Sequence, residues 1–233
     1  MWSGKTEKLY LFDSYLKEFT SGILEYNENE IVLEKTAFYP EGGGQPSDRG
    51  TIISGSIYNV TKVYKEGEAV VHVLDRKFEG SGEVKGVIDW DLRYAYMRHH
   101  TAIHILSGVL YKKYQAKITG SQIYADRARM DINYDLKKED IPEIENLANE
   151  IIKKDYEIKV YFIDKNDFTD DLVRVKEDLL PDVEKIRIVD IYGFDKQADG
   201  GTHVKSTSEA KGIKISKYEN KGRNNKRIYI SLV

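Results

Sequence analysis

Residues 97–106 read MRHHTAIHIL, and this run constrains the chain more than any other. Three of the five histidines in the sequence, His99, His100 and His104, fall inside it. The run has helical character, and at about 3.6 residues per turn His100 and His104 share one helix face. Two imidazoles so placed lie roughly 5–6 Å apart at Cβ, close enough to bind one zinc ion. Ala102, Ile103, Leu106, Val109 and Leu110 supply an apolar stripe that would lay the helix on a sheet. The same pair also fits two hydrogen-bonded core histidines, so the spacing alone leaves both readings open.

A distant segment bears on the choice. Residues 195–204, DKQADGGTHV, bring a further histidine, His203, after two glycines that let the backbone turn tightly, and a strand is expected to follow it. A helical pair joined by one histidine on a turn is a common way to assemble a zinc site. Thr101 stands where the H-E-x-x-H protease motif needs its glutamate, which excludes that chemistry.

Residues 1–90 read as short strands, the first clear one at residues 31–38. Further runs follow at residues 50–53, 57–64, 69–74 and 83–90, rich in Val, Ile and Tyr and separated by turn residues. This pattern predicts a small β-barrel domain over residues 1–90. From residue 91 to 233 the pattern changes to helices among antiparallel strands, an α+β domain. Its long helix runs to about Tyr114, and residues 115–134 look extended. A second helix begins near Asp140, with Glu143 completing a capping box and Pro142 in the first turn. Strands are expected at residues 158–163, 185–191, 212–218 and 227–233.

Residues 38–50, FYPEGGGQPSDRG, interrupt the barrel pattern. They fit a hairpin loop, or a loop whose backbone approaches a ligand at Gly42, Gly43, Gly44 and Gln45. The lysine and spacing of a P-loop are missing. With a net charge of −3 the chain has no global nucleic-acid signature. A local basic concentration, Lys205, Lys211, Lys214, Lys217, Lys221, Arg223, Lys226 and Arg227, follows directly on His203. It fits either a solvated hairpin or a surface for a polyanion. The absence of cysteine removes disulfides and thiolate ligands and suits a reducing compartment. No secretory h-region and no run of about 20 apolar residues is present, so a cytoplasmic protein without a membrane or DNA partner is expected.

Taken together, FYPEGGGQPSDRG, DWDLRYAYMRHHTAIHIL and ADGGTHV followed by residues 207–212 resemble the AlaX family. Its members are free-standing relatives of the editing domain of alanyl-tRNA synthetase. The length and the glycine-rich loop are similar to its medium-length group. The resemblance implies an N-terminal barrel, a zinc-dependent catalytic domain, and deacylation of alanine-specific tRNA mischarged with serine, glycine being a further candidate. It carries the metal-ligand role to His100, His104 and His203. The family's cysteine position is Asp199, a departure: a carboxylate binds zinc at about 2.0–2.2 Å, so Asp199 is a candidate fourth ligand or catalytic group. Gln197 is a weaker substitute.

Such editing is needed because a pocket for a small apolar amino acid rejects a hydroxylated analogue only about a hundredfold. A second site that hydrogen-bonds the serine hydroxyl would leave a polar group unpaired when alanine enters. Thr119 and Ser121, soon after the helix, are the candidates for that contact. Gly42–Gln45, Lys211, Lys214 and Lys217 are the candidates for tRNA contact. Two alternatives stay open: a metallohydrolase of the same fold acting on another aminoacyl ester, and a non-catalytic tRNA-binding module.

Overall fold

The computed structural model describes residues 2–169, 172, 184–222 and 225–233; Arg223 of the basic run lies outside them. The chain forms two compact units, Met1–Tyr96 and Met97–Val233.

The first unit is a closed barrel. Its strands are β2 (Glu18–Asn27), β3 (Glu30–Leu33), β5 (Gly50–Ser54), β6 (Ser56–Glu66), β7 (Ala69–Leu74) and β8 (Glu83–Ile88). They close in the order β2-β3-β7-β6-β5-β8, each pair antiparallel. The short strands β1 (Glu7–Lys8) and β4 (Lys35–Thr36) pair in parallel beside it. Inward-facing Phe19, Leu33, Ile52, Val63, Leu74 and Ile88 fill the barrel with their neighbours. The expected strand over residues 31–38 is thus two, β3 and β4, broken at Glu34. Strand β2 was not anticipated, because polar Ser21 takes an inward position there and breaks the apolar alternation.

His72 sits at 0 % exposure inside this barrel. Its Nδ1 lies 3.1 Å from Ile31 O and its Nε2 2.8 Å from Thr36 Oγ1. Burial pushes its pKa down from 6.5 to about 4. The unfolded chain therefore binds one more proton than the native one between those pH values. Stability is full above pH 6.5 and falls by about 3 kcal/mol as pH drops to 4. Equilibrium unfolding across that range should show the slope, and a folded His72→Gln variant should lack it.

The second unit follows from α1 (Trp90–Tyr114), whose first residues are counted with the barrel unit. The expected strand over residues 83–90 stops at Ile88 because Asp89 caps this helix, Oδ1 accepting the Leu92 N–H at 3.3 Å. After α1 come β9 (Ile118–Ile123), β10 (Ala128–Ile132), α2 (Ile141–Lys153), β11 (Ile158–Asp164), β12 (Lys185–Ile191), β13 (Asp195–Ala198), β14 (Ile213–Asn220) and β15 (Lys226–Leu232). They build a four-stranded sheet, β14-β15-β10-β9, and a three-stranded sheet, β11-β12-β13, both antiparallel throughout. The fold is the expected one, a small barrel followed by helices and antiparallel sheets. No helix among the described residues is long and apolar enough to cross a membrane.

Helix α2 protects the edge of the larger sheet. Its Asn149 accepts the Ile213 N–H and donates to Ile213 O, both at 2.8 Å, and its Glu145 accepts the Ile215 N–H at 2.6 Å. The capping box expected at Asp140 is not made. Asp140 has helical φ and ψ because a 3-10 turn, Lys138–Asp140, runs straight into α2, and Glu143 pairs with Lys113.

Helix α1 carries more than an apolar stripe. Every residue from 99 to 110 is buried, polar Thr101 and Ser107 included. Elements of its own unit enclose it: Lys112 donates to Phe194 O, Arg98 Nε donates to Glu209 O at 2.9 Å, and Gln197 Nε2 donates to His104 O at 3.1 Å. Gly108 permits the approach of the β12–β13 turn, since a Cβ there would meet the Phe194 ring at 2.8 Å.

Candidate metal centre

One turn of α1 presents His100 and His104, and the turn after β13 presents Asp199 and His203. These four bring ligand atoms within 4.8 Å of one another. The ring centroids of His100, His104 and His203 lie 4.3–5.1 Å apart. All three Nε2 atoms face one carboxylate: Asp199 Oδ1 is 3.5 Å from His100 and 3.8 Å from His104, and Oδ2 is 3.1 Å from His203. Ligands at about 2.0–2.2 Å from a tetrahedral zinc sit about 3.3–3.5 Å apart along each edge, so the spacing fits. The four side chains can hold a metal ion.

Protonation suits a cation as well. Burial and the adjacent His100 and His104 rings hold the His203 imidazole well below its usual pKa. Burial lowers His104 too, against the opposing pull of Asp199. For Asp199 burial acts upward, but the His100 charge and the attraction of the three neighbouring rings outweigh it, and its pKa lies well below the ordinary value. His104 and His203 held toward the neutral form, beside an ionised carboxylate, suit a divalent ion.

A further residue orients this set. Thr101 Oγ1 lies 3.2 Å from His203 Nδ1 and accepts the Val204 N–H at 3.3 Å. An Nδ1–H donated to Thr101 leaves Nε2 free to bind, the usual support of a metal-bound histidine. In the sequence Thr101 marks only the missing glutamate of a protease motif; its contact with His203 spans 102 residues and leaves no local signal. Gln197 spends its amide N–H groups on His104 O and on Asp195 Oδ2, the latter at 2.8 Å. After His203 the chain enters a 3-10 turn, Thr207–Ala210, and not the expected strand. The Ser206–Glu209 capping box closes that turn and takes up the backbone groups a strand would pair.

The other candidate residues lie on other elements. Thr119 and Ser121 are on β9. The β9–β10 register shifts between Asp131, paired with Gly120, and Ile132, paired with Ile118, so Thr119 is the extra residue of a bulge. Its Oγ1 is buried without a hydrogen-bond partner among the described residues. Gly42–Gln45 form a tight turn in the barrel unit, closed by hydrogen bonds of 3.1 and 2.9 Å between Gly42 and Gln45. Gly43 and Gly44 have φ of 59° and 82°, which glycine adopts without strain, and Gln45 is buried.

The basic run is largely paired: Lys214 with Glu145, Lys217 and Lys221 with Glu219, Lys226 with Asp135, Arg227 with Asp131. Of the candidates Lys211, Lys214 and Lys217, Lys211 alone makes no ion pair among the described residues.

Two family models match the chain, tRNA synthetases class II (A) over residues 5–92 and threonyl and alanyl tRNA synthetase second additional domain over residues 186–229. These matches cover the barrel and the turn carrying Asp199 and His203, and define a class of protein built from parts shared with aminoacyl-tRNA synthetases. The chain is 43 % identical to alanyl-tRNA editing protein AlaX-M of Saccharolobus solfataricus, over 97 % of this chain and 99 % of that one. Identity to the AlaX-M protein of Methanosarcina mazei is 39 %, over 98 % and 97 %. Alanine–tRNA ligase of Ignicoccus hospitalis is 38 % identical over 90 % of this chain but 24 % of the ligase. The chain belongs to the AlaX-M family of alanyl-tRNA editing proteins.

Proposed function

We propose that this protein deacylates alanine-specific tRNA mischarged with serine, in the cytoplasm and in trans to the synthetase. The observation that carries the reading is the cluster of three imidazoles and one carboxylate, in a chain matched end to end by alanyl-tRNA editing proteins. His100, His104 and His203 would hold zinc, with Asp199 as fourth ligand; imidazole and carboxylate donors without thiolate suit that ion. When bound, zinc supplies a positive charge that polarises water or anchors the substrate's amino group. In the reaction water adds to the ester carbonyl, the bond to the terminal adenosine breaks, and free serine and uncharged tRNA leave. Asp199 is the ionised acid in the cluster, the state in which a carboxylate can serve as the fourth ligand.

Thr119 would set the preference for serine. Its hydroxyl, buried without a partner, costs about 1–3 kcal/mol until a substrate hydroxyl pairs with it. Serine can do so and alanine cannot. Ser121, two residues along β9, is a second candidate for this contact. The turn at Gly42, Gly43, Gly44 and Gln45, through its exposed Gly43, together with Lys211, Lys214 and Lys217, would contact the tRNA. Lys211 would contribute most, since Lys214 and Lys217 already meet carboxylates.

The test is single-turnover release of labelled serine and alanine from the same tRNA at saturating zinc. Serine should leave faster, and Thr119→Val should cut the ratio roughly tenfold or more while tRNA affinity holds. Equal rates for the two amino acids would sink the editing reading. An unchanged ratio in the variant would remove Thr119 from it.

A further inference from the structure

Asp199 lies on a turn with open space beside it, since a Cβ on the following Gly200 would meet nothing within 4 Å. A ligand on such a turn needs an outside anchor, because a working site must hold its groups to within about 0.5 Å. Arg187 on β12 sits one step beyond the last β12–β13 pair, Ile188 with Ala198, and grips residue 199 from both sides. Its carbonyl accepts the Asp199 N–H at 3.1 Å, and its Nη1 donates to Asp199 O at 2.8 Å. Arg187 is 6 % exposed. Its Nη1 also makes a long ion pair with Asp199 Oδ2 at 4.0 Å, so the guanidinium bonds the main chain while the carboxylate faces the histidines. The Gly201 N–H, 2.5 Å from Oδ2, sets the remaining torsion of the side chain.

We propose that Arg187 is a positioning residue for the metal centre: it clasps the main chain of Asp199 and so holds that carboxylate at the fourth corner opposite the three imidazoles. This rests on the metal reading of the site given above. The planar guanidinium matters, because a lysine ammonium is a single mobile point charge without the same fork of donors.

The experiment measures zinc affinity by chelator competition, and the visible absorption of the cobalt(II)-loaded protein, whose intensity reports tetrahedral geometry. Variants are R187M, R187K, D199N, R187M/D199N and H203A. R187M should bind zinc about 10–100-fold more weakly and lose cobalt band intensity, and R187K should recover part of both. The double variant should bind no more weakly than D199N alone, since Arg187 acts through Asp199. Additive losses, or R187M within twofold of wild type, would overturn the inference. Wild-type affinity in D199N would also overturn it, while loss of binding in H203A would leave the three-histidine site standing. Wild-type binding in H203A would instead sink the metal reading itself. Should R187M not fold, the same cycle run with R187K and D199N decides on the same criteria, with a several-fold loss expected in R187K.

Discussion

His203→Ala is expected to strip the protein of its metal and to abolish deacylation. The ring is 3 % exposed, braced at Nδ1 by Thr101, with Nε2 3.1 Å from Asp199. Without it, two histidines and one carboxylate remain, and the donors from the two halves of the site are joined through Asp199 alone. Metal content measured by elemental analysis after dialysis should fall from about one equivalent to near zero. Loss of the several kcal/mol that a metal contributes to a developing charge corresponds to roughly a thousandfold in rate. Thr101→Val should produce a weaker version of the same defect, about 10–100-fold in metal affinity, because it frees the ring without removing it. Unchanged metal content in His203→Ala would refute the site.

Arg93→Met should be the most destabilising single change in the barrel unit. Arg93 and Asp48 are 0 % and 1 % exposed. Arg93 Nε donates to Asp48 Oδ1 at 2.8 Å and Nη2 donates to Oδ2. The guanidinium also donates to Ala37 O at 2.6 Å and Ser14 O at 3.0 Å, while Asp48 accepts the Tyr39 N–H at 2.5 Å. Removing the cation strands a buried carboxylate and two carbonyls, a loss of about 3–5 kcal/mol. The unfolding midpoint should drop on the order of 10 °C, and added salt should change the difference little, because ions do not reach the pair. Asp48→Leu combined with Arg93→Met should recover much of the loss, since no unpaired charge then remains. A single variant within about 1 kcal/mol of wild type in denaturant unfolding would show that the pair does not hold this unit together.

The sequence by itself determined what depends on short-range geometry. The four-residue step from His100 to His104 sets two rings on one helix face whatever surrounds them. The alternation in β6, β7 and β15 marks strands because successive side chains must point to opposite faces. The two glycines before His203 announce a turn. The candidate ligands, the barrel and the α+β region were legible for these reasons, and Asp199 stood out because the motif around it resembled a known one.

Only the tertiary structure decided the rest. That the carboxylate of Asp199 faces all three rings depends on how the β12–β13 hairpin meets α1, an interaction across about 95 residues of chain that no local pattern encodes. That Thr119 is the extra residue of a bulge follows from a register shift against β10, which its own sequence does not announce. The basic run after His203 fits either a solvated hairpin or a polyanion surface, and the fold brings Glu145 to Lys214 and Asp131 to Arg227 from 69 and 96 residues away. Strand β2 stayed hidden because its buried Ser21 accepts the Lys35 N–H at 3.1 Å, a contact that makes a polar residue acceptable inside. In each case a side chain's role follows from its partner, and partners distant in sequence are chosen by packing.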